Sequence, residues 1–159
     1  GSTSAAFDAA NQQIAVGATG LTIAKLRAAK KILMTNEVDV ENDPLYIAVT
    51  ATQLDELLGT TEVTSADFNT VKALVQGTVD SFMGFKFIHT ELLGLDGSGD
   101  QRCIAWAKSG LHLGMWNDIN TKISERADKS YATQVYVKGT FGATRIEEAK
   151  VVEIECVEA

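Results

Sequence analysis

Leu45-Tyr46-Ile47-Ala48-Val49-Thr50-Ala51-Thr52-Gln53-Leu54-Asp55-Glu56-Leu57-Leu58-Gly59 is the stretch on which the reading of the fold turns. Leu45 to Val49 is an unbroken apolar run, and the Asp43-Pro44 pair just before it forces an extended or turning backbone. A short buried strand follows from that pattern. Thr50-Ala51-Thr52-Gln53 is a capping-box sequence, in which a threonine oxygen and a glutamine side chain take up the free amides of a helix start. Leu54, Leu57 and Leu58 then share one helical face, and Gly59 supplies a left-handed stop. The chain therefore mixes sheet and helix, with a strand passing directly into a helix.

Upstream, Thr22 to Met34 has a second helical pattern. Thr22 caps it, and Leu26, Ala29 and Leu33 recur at intervals of three and four. Arg27, Lys30 and Lys31 fall on the opposite face at 100° per residue, and the helix spans only about 20 Å. Asn36 and the acidic run from Glu37 to Asp43 end it. Downstream, Thr64 with Asp67 opens a further helix carrying Phe68, Val71, Leu74 and Val75, closed by Gly77. From Phe82 the period changes to two. Phe85 and Phe87 alternate with Lys86, and Leu111, Leu113 and Met115 alternate with His112 and Gly114. Leu95 to Asp100 is a turn by composition, and Ile104 to Ala107 follows as a strand. The polar stretch Asn117 to Tyr131 is expected to be a surface loop or strained connection. Gln134 to Phe141 is expected to be a strand, and so is the end of the chain, where Val152, Ile154 and Cys156 alternate with Glu153 and Glu155 to leave one acidic face.

The 159 residues, 45% of them hydrophobic, suffice for one core or two small lobes. No apolar run approaches the roughly 20 residues that cross a bilayer as a helix, so a soluble chain with no membrane partner and no readable address is expected. Gly1-Ser2 reads as a remnant of tag removal, and residues 1–20 as a flexible lead-in. The net charge of -7 argues against a module that neutralises phosphates, which needs an excess of lysine and arginine. It is compatible with a wall that does not adhere to packaged DNA.

No catalytic, metal or cofactor-binding residues are expected. His89 and His112 lie inside strand patterns without a recognisable motif. Cys103 and Cys156 are far apart in sequence, without metal or redox spacing. Asp96, Ser98 and Asp100 resemble the start of a calcium loop, but Gln101 stands where its glycine belongs and Ala107 where its glutamate belongs. Nucleophile elbows, Walker loops and dinucleotide fingerprints are absent. A cysteine enzyme built on Cys103 and His112 would need a lowered thiol pKa. Lys25, Arg27, Lys30 and Lys31 form the one dense basic cluster, which is either a solvated helix face or a contact surface for an acidic neighbour such as another copy of the chain.

In its order of elements the chain resembles the carboxy-terminal two-thirds of a Hong Kong 97-type major capsid protein of tailed phages. The resemblance is carried by Phe82-Met83-Gly84-Phe85-Lys86-Phe87-Ile88, Ala105-Trp106-Ala107-Lys108-Ser109-Gly110, Thr140-Phe141-Gly142-Ala143-Thr144-Arg145 and Val151-Val152-Glu153-Ile154. It implies an α+β capsid core, with residues 21–64 as a peripheral domain holding the spine helix, 65–145 as an axial domain and 146–159 as a strand returning to the peripheral domain. Leu45 to Val49 would share that peripheral sheet. The resemblance further implies self-assembly into pentamers and hexamers that enclose double-stranded DNA, portal and scaffolding partners, a place in the virion, and host cytoplasm during assembly. The family's N-terminal arm and long hairpin ahead of the spine helix have no counterpart here, so a truncated core that assembles weakly or not at all is expected. An encapsulin-like nanocompartment subunit and a small α+β binding or regulatory domain with no assembly role remain open beside it.

Overall fold

A computed structural model describes residues 6–59 and 81–157. The helix expected over Thr64 to Gly77 lies outside the described residues. The chain divides into two compact units, residues 1–110 with 147–159, and residues 111–146.

The first unit is built on a six-stranded mixed sheet. Its strands are β1 (Gln13–Ile14), β2 (Leu45–Val49), β3 (Ser81–Phe82), β4 (Phe85–His89), β5 (Gln101–Ala107) and, counting through the second unit, β8 (Val151–Cys156). Their order is β1-β8-β5-β2-β4-β3. β2 runs parallel to β4 and β1 parallel to β8, whereas β2–β5, β5–β8 and β3–β4 are antiparallel. Two parallel neighbours need a crossover, and that from β2 begins with helix α2 (Ala51–Gly59). The strand and helix of the opening stretch thus stand where the sequence puts them.

Helix α1 (Ile23–Thr35) starts at Thr22, whose hydroxyl accepts the Lys25 amide. It stops because Glu37 takes a left-handed φ of 58°. That turn lets the Val38 amide reach Leu33 O at 3.1 Å and the Glu37 amide reach Met34 O at 3.1 Å, which satisfies carbonyls the helix leaves open. Leu26, Ala29 and Leu33 of α1 and Leu57 of α2 pack with Ile47, Val49, Phe85, Cys103, Ala105, Val152 and Ile154 in one core. On the other side of the sheet, Trp106 stacks on Tyr46 with ring centres 5.9 Å apart, and the Lys86 ammonium lies 5.8 Å from the Tyr46 ring centre.

The second unit is one antiparallel hairpin of β6 (Leu111–Arg126) and β7 (Ala132–Arg145). Here the expectation of a polar loop over Asn117 to Tyr131 fails, because the strand continues to Arg126. Two register shifts, between Met115 and Asn117 and between Asn117 and Asn120, each insert an extra residue in β6 and break its alternation. The period-two signal is intact in β7 and scrambled in β6.

Two further expectations change. β8 does not present an acidic face to solvent. It lies between β1 and β5, and Glu153 is only 1% exposed. The partition implied by the resemblance put 65–145 in a lobe apart from Leu45 to Val49 and the last strand. Instead β3, β4 and β5 share a sheet with β2 and β8, because hydrogen bonding joins strands distant in sequence, and only 111–146 stands as a separate unit.

Candidate functional site

The basic residues of α1 separate by environment. Lys25 is 7% exposed, and its Nζ donates to Val16 O at 2.8 Å, Thr19 O at 2.6 Å and Glu155 O at 2.8 Å. It ties the lead-in, the helix and the last strand together, and so is not available as a contact surface. Burial holds its ammonium below the usual lysine value, against the attraction of Cys156 and Glu56. Lys30 is half-buried and donates to Met83 O at 3.1 Å, which fastens α1 to the β3–β4 turn. Met83 and Gly84 there have φ of 54° and 90°, a two-residue turn whose twist suits a hairpin. Arg27 and Lys31 remain exposed. With Lys30, Met34, Thr35 and Met83 they line a shallow depression.

The catalytic candidates have structural employment. His89 Nε2 lies 2.8 Å from Glu91 Oε1, and the same oxygen accepts the Ala51 amide at 2.8 Å. Glu91 therefore caps α2, and that amide bond is the main reason its carboxyl lies below the usual range. Sequence reasoning gave this role to Thr50 and Gln53, whose side chains bond to each other instead. Cys103 and Cys156 are buried, and the hydrogen bond to Cys156 together with burial pushes the Cys103 thiol up. A thiol held protonated in this way is the opposite of an activated nucleophile. Asp96 Oδ1 accepts the Ser98 amide at 2.7 Å and the Asp100 amide at 2.8 Å, so the calcium-like loop uses its carboxylate to close its own turn. Among the described residues no group of three or more His, Cys, Asp or Glu is placed to hold a metal, and no helix is long and apolar enough to cross a membrane.

Sequence reasoning missed two features. Buried Glu153 accepts from Gln13 Nε2 at 2.8 Å and is paired with Arg102, which satisfies a charge between β1 and β5. Each of its partners lies on a neighbouring strand, so only the strand order reveals them. The second is the hairpin's one-sided chemistry. The register puts Leu113 with Ala143, Met115 with Phe141, Thr121 with Val137 and Ile123 with Val135 on one face. A Cβ on Gly139 would touch the Phe141 ring and lie 3.8 Å from Ile119, so Ile119 belongs to that face as well. The other face carries His112, Asn120, Lys122, Ser124, Gln134, Tyr136 and Lys138.

No curated protein sequence matches the chain. Among solved structures, a chain of Mycobacterium phage Che8 superposes with a TM-score of 0.69 at 17% identity, over 91% of this chain and 53% of that one. The cyanophage Pam1 capsid asymmetric unit gives a TM-score of 0.65 at 11% identity, over 87% and 47%. The holo-SrpI encapsulin complex of Synechococcus elongatus PCC 7942 gives 0.56 at 8% identity, over 92% and 53%. The chain thus spans about half the length of these structures and shares their α+β fold. A family model described as phage capsid protein matches residues 2–158, and the chain belongs to that family.

Proposed function

We propose that this chain is a structural subunit of an icosahedral phage shell. It acts by self-assembly into pentamers and hexamers around double-stranded DNA, and not by catalysis. The observation that carries the reading is the match of the capsid family over residues 2–158. Two physical features support it. Lys25, Glu91 and Asp96 serve as strut, cap and loop closure, and the acidic balance suits an inner wall that releases its DNA. Virion location, assembly in the host cytoplasm, and portal and scaffolding partners follow from the same reading.

In this account Arg27, Lys31 and the exposed part of Lys30 meet an acidic surface of a neighbouring copy, while Lys25 holds its own subunit together. Charge contacts of this kind set register and association rate, and salt weakens them. Light scattering across protein concentration and salt, followed by negative-stain microscopy of large species, tests the proposal. Rings of five or six copies that weaken with salt and with Arg27→Glu plus Lys31→Glu are expected. Rings unaffected by either would remove the basic face from the contact, and the absence of higher-order species both for this chain and for one extended to its neighbours' length would count against the shell reading. The encapsulin likeness supports a second reading, a cellular compartment wall. Protein cargo without DNA in particles recovered from cells would favour it.

A further inference from the structure

Cys103 and Cys156 are distant in sequence but meet in the core of the first unit. In the β5–β8 register Cys103 stands beside Ile154 and Cys156 beside Gln101, so the two cysteines are diagonal neighbours on the core face of the sheet. Both are fully buried, and their thiols are hydrogen-bonded to each other. Diagonal neighbours hold their Cβ atoms roughly 6–7 Å apart, well beyond the about 3.8 Å of a disulfide. Without backbone movement the pair stays reduced, as two soft ligands side by side. Two polar neighbours favour negative charge there. Gln101 is 4% exposed, lies directly across from Cys156, and its Nε2 has no hydrogen-bond partner among the described residues, a costly state for a buried donor. Lys25 Nζ donates at 2.8 Å to the carbonyl of Glu155, the residue before Cys156, and its charge attracts both sulfurs. Glu56 and Asp100 carry the opposing charge, and Glu56 is occupied with the Leu21 amide.

We propose that Cys103 and Cys156 bind one thiophilic monovalent ion, Cu(I) in a cell, in linear two-coordinate geometry, with Lys25 and Gln101 offsetting the charge of the complex. Each thiol gives up its proton, two metal–sulfur bonds form, and no oxidation state changes. Metal–thiolate bonds of about 2.3 Å put the sulfurs about 4.6 Å apart across a linear ion, a span that suits a diagonal pair where a disulfide is too short. Two thiolates and one monovalent cation leave a single negative charge. The buried Lys25 ammonium balances it through space, and the Gln101 amide gains the acceptor it lacks. Thiolate ligands select Cu(I) over harder ions. Zinc is disfavoured because structural zinc takes four ligands, and among the described residues no group of three or more His, Cys, Asp or Glu is placed to hold a metal. The bound ion ties β5 to β8. The site lies wholly in the core of the first unit and does not rest on the shell reading.

Anaerobic titration with Cu(I) is the test, the ion being supplied as its coloured bicinchoninate chelate so that transfer to the protein is read as loss of colour. Because the thiols are buried, each protein is also unfolded in urea and refolded with Cu(I) present, so that slow entry does not hide the site. One Cu(I) per chain is expected for wild type, and none for Cys103→Ala or Cys156→Ala, whose folding is checked by circular dichroism. Gln101→Leu keeps both ligands and is expected to bind roughly tenfold more weakly, the effect of losing one hydrogen bond to a charged group. That loss is read even where a cysteine variant fails to fold. Zn(II) at the same concentration is expected to wash off. A wild type that takes up no Cu(I) by either route, uptake retained in Cys103→Ala, zinc held as tightly as Cu(I), or a Gln101→Leu affinity equal to wild type would each overturn the site as assigned.

Discussion

Lys25 shows how one residue can carry opposite readings. Counted as one of four bases on α1 it looks like surface charge, yet it lies one helical turn before Ala29 and two before Leu33, on the buried face. The spacing was in the sequence, but the three carbonyls that make burial tolerable were not, because they come from residues 16, 19 and 155. Lys25→Met is expected to remove three hydrogen bonds, with Val16 O and Thr19 O keeping the Thr19 and Val157 amides, and to lower stability by about 1–3 kcal/mol. Lys31→Met should stay within about 0.5 kcal/mol of wild type. Urea unfolding midpoints of the two variants make the comparison. The carboxylates give a pH dependence with a definite sign. Glu91, Asp96, Asp39 and Asp8 are all held below their usual values by amides that donate to them. Their folded values lie below their unfolded ones, so their contribution is fully present above about pH 4.5 and is lost as pH falls through the folded values. Melting temperature should be flat near neutrality and fall on acidification, and Glu91→Gln should flatten part of that fall.

At the scale of elements, patterns that depend on one segment were legible and those that depend on two were not. β2, α1 and α2 were readable within a residue or so, because their apolar spacing and caps are local. The cap of α2 was not, since Glu91 reaches it from beyond β4. Glu91→Ala should therefore fray the first turn of α2, seen as faster hydrogen exchange there. β6 was misread because its two bulges reset the side-chain alternation. Gly20 makes a similar point about close approach. A Cβ there would collide with the Glu56 carboxylate that accepts the Leu21 amide at 3.1 Å. The carboxylate is the far end of a flexible side chain, so Gly20→Ala should push it aside and cost about 1 kcal/mol. In a Glu56→Ala background the same substitution should cost almost nothing, a coupling that a double-mutant cycle measures.

For the whole molecule, the α+β class and the capsid resemblance were legible in the order of segments, whereas the grouping of strands into units was not. Strand pairing joins β2 to β5 and β5 to β8 across long separations in sequence, and no local pattern states which strands become neighbours. Assembly is a property of this scale. Native mass spectrometry over rising protein concentration counts copies directly, even in minor species. Masses of five and six copies, growing with concentration and reduced in Arg27→Glu plus Lys31→Glu, are the predicted result. A spectrum confined to one and two copies at every concentration, both for this chain and for one extended to the length of its structural neighbours, would contradict the shell-subunit account.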